Sequence, residues 1–197
     1  MSQLTAASKI RNTPARSFVH ASQLPGTPTA ARQAASRAAR SGDLIQIRRG
    51  LYYRGVNTRF GMTKPTVEEI AKEVLGTKGI GPAGYSAARE WGVSTQIPAC
   101  FQVATLWTAG PIAGITQHAR RNKERLILNF KEIALIELMR APEVFVEAGW
   151  GVLVSKVRDS LALGEIVEKR LRVGVAGERG VAVRANFERL LSDLASL

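Results

Sequence analysis

Six arginines between Thr27 and Arg54 are the side chains whose type and spacing point most clearly to chemistry, namely the recognition of phosphate groups and base edges. Asp43 is the only acid in that stretch. A guanidinium group is a rigid fork of N–H donors that matches phosphate oxygens and the O6 and N7 atoms of guanine. Because one acid cannot balance six cations, the stretch predicts a polyanionic partner. The six are Arg32, Arg37, Arg40, Arg48, Arg49 and Arg54.

A helix over residues 27–41 is predicted to position the first three of these arginines. At about 100° per residue its polar side chains lie within an arc of roughly 140°, and six alanines cover the rest. Thr27 is expected to cap this helix, Pro28 to occupy its first turn and Gly42 to follow its end. Such a helix can pack closely through its alanines while its polar face points outward. The polar positions are Thr29, Arg32, Gln33, Ser36, Arg37 and Arg40.

The neighbouring segments predict a winged helix-turn-helix domain around this helix. Short helices are expected over residues 4–12 and 18–24, before it. After it, residues 44–54 alternate in polarity around a turn at Arg49 and Gly50, which predicts a β-hairpin. Three helices followed by a hairpin is the winged-helix plan. The alternative is a small helical cap whose arginines are simply solvated.

The distribution of charge separates this N-terminal part from the remainder. The chain of 197 residues has a formal net charge of +12, and residues 1–57 carry nine basic side chains against Asp43 alone. We therefore predict a DNA-binding domain over residues 1–57 and a more neutral domain over residues 58–197. With one cysteine, no apolar run long enough to span a bilayer and no signal-peptide core, the sequence predicts a cytoplasmic protein without membrane contact.

The second domain is predicted to be mixed α and β, so the whole chain is assigned to the α+β class. Residues 55–65 are expected to form a linker or extended arm, and Thr66 with Glu69 has the spacing of a capping box. Helices are predicted over 66–76, 83–91, 131–140, 152–163, 165–171 and 182–197, strands over 100–108, 112–118 and 124–130, and a loop over 174–180.

Motifs that could indicate catalysis are incomplete. Residues 79–84 satisfy G-x-G-x-x-G by letter, but no strand is predicted before them and Pro82 removes one N–H from a phosphate cradle. Ser86 lies in a fragment of a nucleophile elbow that lacks its last glycine. The acidic residues show no metal-site spacing. We predict no enzymatic activity, no catalytic residue, no cofactor and no metal site. A second basic segment, residues 118–125, is either a solvated turn or a phosphate- or RNA-binding surface.

Two stretches of the sequence resemble the AbiEi family of type IV antitoxins and its shorter relatives. The first contains FVHASQL and then ARQAASRAARSGDLIQIRRGLYYR, and the second is IGPAGYSAAREWGVSTQIPACFQVATLW. The resemblance covers about residues 8–135. Ala38 and Trp91 stand where the family usually has leucine, and both substitutions are packing changes.

This resemblance implies a winged-helix domain that binds promoter repeats in double-stranded DNA and represses its own operon. It also implies a second domain associated with neutralising a nucleotidyltransferase-like toxin. Under this hypothesis four side chains contact base edges in the major groove, and these are Arg32, Gln33, Ser36 and Arg37. Thr29 and Arg40 would contact phosphates, Arg48 and Arg49 would reach the backbone or minor groove, and Arg54 and Lys9 would extend the contact.

Two rival functions belong to other classes. One is a protein-interaction module, such as a toxin-binding domain, whose basic N-terminal part only increases solubility. The other is a nucleic-acid-processing enzyme with an acidic site hidden in the second domain.

Overall fold

The structure is a computed structural model that describes residues 5–196, and it is mixed α+β, as the sequence predicts. About half of these residues are helical, and the strands form one two-stranded and two three-stranded sheets. The chain divides into two compact units after Ile70, whereas the predicted domain boundary follows residue 57. No helix within the described range is both long enough and apolar enough to cross a membrane.

The first unit is a small sheet with two helices packed on each other. The elements are α1 (Ala6–Asn12), β1 (Ser17–His20), a 3₁₀ turn (Ala21–Gln23), α2 (Pro28–Arg40), β2 (Ile45–Arg48), β3 (Leu51–Arg54), β4 (Asn57–Thr58) and β5 (Gly61–Met62). Both β1 and β2 pair with β3 in antiparallel fashion, so the strand order is β1–β3–β2, and β4 pairs with β5 separately.

The predicted helix over residues 18–24 is wrong. The segment begins as strand β1, which pairs with β3 from Ser17–Arg54 to His20–Leu51, and only then turns through the 3₁₀ residues. The Phe18 and Tyr53 rings meet edge to face, with their centroids 5.1 Å apart. A seven-residue helix would leave most of its backbone groups unpaired, whereas the ladder to β3 pairs them. The strand is therefore decided by a partner more than thirty residues away.

Helix α2 has the local design that the sequence predicts. The N–H of Ala30 donates to Thr27 Oγ1 at 3.3 Å, Pro28 is the first helical residue, and Gly42 has φ of +82° just past the C-terminus. On the inner side the buried alanines are Ala31, Ala34 and Ala35, and they pack against Ile10, Val19, Leu24, Leu44 and Tyr52.

The predicted linker over residues 55–65 contains the β4–β5 hairpin. The N–H of Val56 donates to Thr63 Oγ1 and that of Thr63 donates to the Val56 carbonyl, both at 2.9 Å. Gly55 is required here, because a Cβ on it would lie 2.0 Å from the Thr63 carbonyl oxygen. Helix α3 (Val67–Leu75) follows, and the predicted capping box of Thr66 and Glu69 is present with both of its hydrogen bonds.

The second unit combines a small sheet with a mainly helical core. After α3 the elements are β6 (Gly81–Pro82), α4 (Gly84–Glu90), β7 (Phe101–Thr105), β8 (Ile115–Ala119), a 3₁₀ helix (Lys123–Ile127), α5 (Phe130–Leu138), α6 (Pro142–Phe145), α7 (Trp150–Ala162), α8 (Glu168–Ala176) and α9 (Val181–Ala195). Strand β6 pairs antiparallel to β7, and β8 pairs parallel to β7. Leu4 and Leu197, the outer ends of the first and last predicted helices, lie outside the described residues.

Helix α5 is the centre of this unit. Its residues from Glu132 to Leu138 are all buried, and it begins with a capping box in which Asn129 and Glu132 exchange hydrogen bonds of 2.8 Å. A helix buried on every side must be surrounded by other elements. Buried residues of α4, α7, α8 and α9 belong to the same hydrophobic cluster.

In the second unit one further prediction is wrong, and another is right only in part. Residues 124–130 form no strand, because Asn122 caps a 3₁₀ helix there and Arg125 turns into the interior to pair with buried glutamates. Residues 174–180 are not a loop throughout, since α8 continues to Ala176. Gly174 lies within that helix and packs on Leu128. A larger residue would not fit, because an added Cβ would lie 2.7 Å from Leu128 Cδ1.

Candidate functional site

The polar arc of α2 faces solvent. Its members are exposed except Ser36, which is half-buried, and its cations have the buried alanines directly behind them. Ala30 is also exposed and Ala38 and Ala39 are half-buried, so the alanine side is less completely covered than the sequence predicts. The exposed members are Thr29, Arg32, Gln33, Arg37 and Arg40. We call these five residues together with Ser36 the α2 arginine face.

The hydrogen bonds on this face stay within the helix. Arg32 Nε donates to the Pro28 carbonyl at 3.0 Å, and Arg40 Nη2 reaches Ser36 Oγ at 3.4 Å. Each guanidinium therefore keeps most of its donors for another molecule. The side chain of Arg37 has no hydrogen-bonding or ion-pair partner among residues 5–196. The nearby acid, Asp43, accepts a hydrogen bond from the Ser41 hydroxyl at 2.6 Å.

The β2–β3 hairpin presents a second basic feature of the first unit. Its turn is Arg49-Gly50, as predicted, and Gly50 has φ of +80°. Arg49 is exposed at the tip, while Arg48 is half-buried beside an irregular register between Gln46 and Arg48. Arg49 is thus the hairpin cation with the freest access to a partner.

Arg54 has a structural role at the end of α1, in place of the predicted extension of the contact surface. Its Nη1 donates to the carbonyls of Ile10 at 2.9 Å, Arg11 at 2.5 Å and Thr13 at 2.6 Å. These carbonyls end α1, where a helix has unpaired acceptors and negative dipole charge. The half-buried Arg54 therefore fastens the end of α1 to the sheet. Lys9, the other peripheral residue predicted, is exposed on α1.

A cleft of about 300 Å³ lies between α1 and α2 and brings further charges beside the α2 arginine face. Arg37 and Asp43 line it together with Arg54 and Arg11. Sequence reasoning missed Arg11, which is exposed on α1 two positions beyond Lys9. Its basic neighbourhood was visible in the sequence, but only the packing of α1 on α2 places it next to Arg37.

The motifs that resembled catalytic sites have packing explanations. A Cβ on Gly81 would lie 2.6 Å from Ile133 Cβ, and one on Gly84 would lie 1.9 Å from Gln102 Oε1. Ser86 is buried, and its Oγ accepts a hydrogen bond of 2.9 Å from the N–H of Gln102. Within residues 5–196, no three His, Cys, Asp or Glu side chains are grouped so that they could hold a metal ion.

The second basic segment, residues 118–125, lies in the second unit and has two different parts. Arg121 is exposed and Arg120 is partly exposed, whereas Arg125 is completely buried between Glu137 and Glu178. Burial of Arg125 is not the geometry of a simple solvated turn. The exposed part borders a cleft whose other residues come from distant segments.

No family model and no curated protein sequence matches the chain. Among solved structures it is similar to the crystal structure of the RV2827C protein from Mycobacterium tuberculosis. The TM-score is 0.53 at 15% sequence identity, and the match covers 95% of this chain and 74% of that one. At this identity the similarity concerns the fold alone.

Proposed function

We propose that the chain binds double-stranded DNA in a sequence-specific manner through a winged helix-turn-helix in its first unit. The observation that carries the proposal is the α2 arginine face, whose arginines are exposed, lie over buried alanines and have no ion-pair partner among residues 5–196. The connectivity α1–β1–α2–β2–β3 supports it, because a hairpin with an arginine tip follows the helix directly. A 3₁₀ turn takes the place of the second helix of the plan.

The side-chain roles follow from position on α2 and on the hairpin. Residues near the middle of the exposed face would meet base edges in the major groove, and those at the helix ends would meet phosphates. The first group is Arg32, Gln33, Ser36 and Arg37, and the second is Thr29 and Arg40. Arg49, with Arg48 behind it, would contact the backbone or the minor groove. Lys9 and Arg11 would add phosphate contacts, and Arg54 is assigned to holding α1.

The experiment is a titration of a labelled duplex taken from the region upstream of the chain's own reading frame. The double variant Arg37→Ala, Arg49→Ala is expected to lose at least about tenfold in affinity, because two phosphate- or base-directed cations are removed. A scrambled duplex of equal composition measures specificity. The matched control is Arg89→Ala, Arg158→Ala, which removes the same charge from exposed sites in the second unit. Equal affinity of wild type and the first variant would refute the interface.

We further propose that this DNA is the promoter of the chain's own operon and that the chain is a cytoplasmic type IV antitoxin. The support is the resemblance of residues 8–135 to the AbiEi family, together with the basic first unit. Expression of an adjoining nucleotidyltransferase-like gene should arrest growth, and co-expression of this chain should restore it. Absence of such a gene, or failure of the rescue, would remove the antitoxin role and leave DNA binding intact.

A further inference from the structure

A second arginine-rich site lies in the second unit. It is a cleft of about 330 Å³ formed by residues 119–122, at and after the end of β8, and residues 177–180, which connect α8 to α9. Four arginines line it, and they come from three separate places in the chain. They are Arg120, Arg121, Arg140 and Arg179, and we call this site the arginine cleft.

Two buried glutamates hold part of this arginine set in place. Glu137 accepts hydrogen bonds from Arg120 Nη2 at 2.8 Å and from Arg125 Nη2 at 2.7 Å. Glu178 accepts from Arg125 Nε at 2.7 Å and from Arg140 Nη2 at 2.5 Å. The side chains of Arg120 and Arg140 keep roughly a quarter of their surface exposed, so they are fixed but accessible.

The turn at residues 177–180 is pressed against the opposite wall of the cleft. A Cβ on Gly177 would lie 2.2 Å from Asn122 Oδ1, so only glycine fits there. Asn122 is buried, and its Nδ2 donates to Glu178 Oε1 and to the Gly174 carbonyl, both at 2.8 Å. The two walls are thus joined at their base by a hydrogen-bonded network, and the cleft is a built feature.

The network leaves a strong excess of positive charge. Five arginines and two glutamates, Glu137 and Glu178, make up the cleft and the network beneath it, and their charges sum to +3. The arginines are Arg120, Arg121, Arg125, Arg140 and Arg179. Arg121 and Arg179 are exposed on opposite walls and have no ion-pair partner among the described residues. Arg125 Nη1 is buried and has no hydrogen-bond acceptor within the same range.

The nearby His118 has a lowered pKa, and burial is the largest cause. The positive charges of Arg120 and Arg140 lower this pKa further, while the charge of Glu137 opposes them. Only the part of the shift that comes from the arginines reflects positive potential, and that potential favours an anion.

We propose that the arginine cleft binds the phosphate group of a small molecule, either free phosphate or a phosphate ester such as a nucleotide. Arg121 and Arg179 would bind it from opposite walls, with Arg120 and Arg140 beneath. The charge favours a multiply charged anion, and guanidinium forks match phosphate oxygens in pairs. A concave site between two turns suits a small ligand better than the convex backbone of a duplex.

The experiment is calorimetric titration of the full-length chain with inorganic phosphate, pyrophosphate and ATP, each at the same ionic strength. Saturable binding of at least one of them is expected, and ATP binding without phosphate binding identifies a nucleotide rather than free phosphate. The variant Arg121→Ala, Arg179→Ala should lose at least about tenfold in affinity, because both free cations are gone. Arg121→Lys, Arg179→Lys should lose less, since it keeps the charge.

The control variant Arg89→Ala, Arg158→Ala should bind these ligands as the wild type does. The four substituted arginines, Arg121, Arg179, Arg89 and Arg158, are all exposed. Thermal unfolding followed by circular dichroism checks that each variant stays folded. The proposal fails if none of the three ligands binds saturably, or if the alanine variant binds as tightly as the wild type. It also fails if that variant loses affinity for duplex DNA only, because the cleft would then be part of a duplex-binding surface.

Discussion

The α2 arginine face and the arginine cleft use the same side chain under opposite conditions. On α2 the cations lie over buried alanines, and none of them forms an ion pair with a residue in the range 5–196. At the cleft, Arg120, Arg140 and the buried Arg125 beside it pair with two buried glutamates. Arg121 and Arg179 have no ion-pair partner among residues 5–196. An exposed guanidinium without a protein partner keeps its donors for water or for a second molecule. A guanidinium paired with a buried glutamate is part of the fold, because removing either partner leaves a buried charge unbalanced. Arginine count alone does not separate these roles.

The largest expected effect comes from the removal of one glutamate beside the cleft. Glu137→Gln keeps the shape of the side chain but removes its negative charge. The fully buried Arg125 then loses one of the two carboxylates that it pairs with. Breaking a buried ion pair from one side costs about 3–5 kcal/mol, and we expect a loss of that size in the free energy of unfolding. Urea denaturation measures it. Glu188→Gln, an exposed change on α9, is the control and should lie within about 0.5 kcal/mol of wild type.

Acid should act on the same network. Burial alone would raise the pKa of Glu137, but the hydrogen bond from Arg120 and the charges of Arg125, Arg120 and Arg140 lower it to about 2. A lowered pKa stabilises the fold above the ordinary value near 4.5, and this stabilisation is lost as the pH falls from there toward 2. The shift corresponds to about 3 kcal/mol. Unfolding measured between pH 6 and 3 should show the decline, and its slope should be smaller in Glu137→Gln.

Arg54 tests whether every arginine of the first unit belongs with the α2 arginine face. Because its Nη1 binds three carbonyls at the end of α1, Arg54→Ala should lower the free energy of unfolding by about 2 kcal/mol. Arg37→Ala should leave it nearly unchanged. Thermal or urea unfolding of both variants gives the answer. Equal stability of the two would mean that Arg54 is not a structural cation.

The smallest effect concerns the hairpin tip. If Arg49 contacts a phosphate, Arg49→Ala should reduce the slope of log affinity against log salt by about 1 and weaken all duplexes alike. Arg37→Ala should instead weaken the specific duplex more than the scrambled one. Titrations at three or more salt concentrations compare the two variants. An unchanged slope for Arg49→Ala would place the hairpin away from DNA.

Predictions from the sequence succeeded where the determining contacts are local. The caps of α2 at Thr27 and Gly42, the turn at Arg49-Gly50 and the Thr66–Glu69 capping box all join residues within four positions of one another. Such interactions can be read from spacing because the helix or turn itself brings the partners together.

The predictions that are wrong concern segments whose determining contacts are distant in the sequence. The segment 18–24 begins in strand β1 because β3 pairs with that strand. Residues 123–127 form a 3₁₀ helix whose Arg125 binds Glu178, more than fifty positions later in the chain. Arg54 was predicted as a surface contact because its charge was visible and its partners on α1 were not. The sequence shows that a residue is charged, but not which distant group will lie beside it.

By itself, the sequence determined that this chain carries a capped, alanine-backed helix with an arginine-rich side and a basic hairpin after it. These features follow from helical periodicity, capping and turn chemistry, which act over a few residues. Which arginines are available to a partner depends on the tertiary structure. It buries Arg125 and ties the half-buried Arg54 to the end of α1. It also places Arg11 beside Arg37 and brings residues 119–122 and 177–180 together in one cleft. The reason is that ion pairs and burial depend on distances through space, which sequence spacing does not contain.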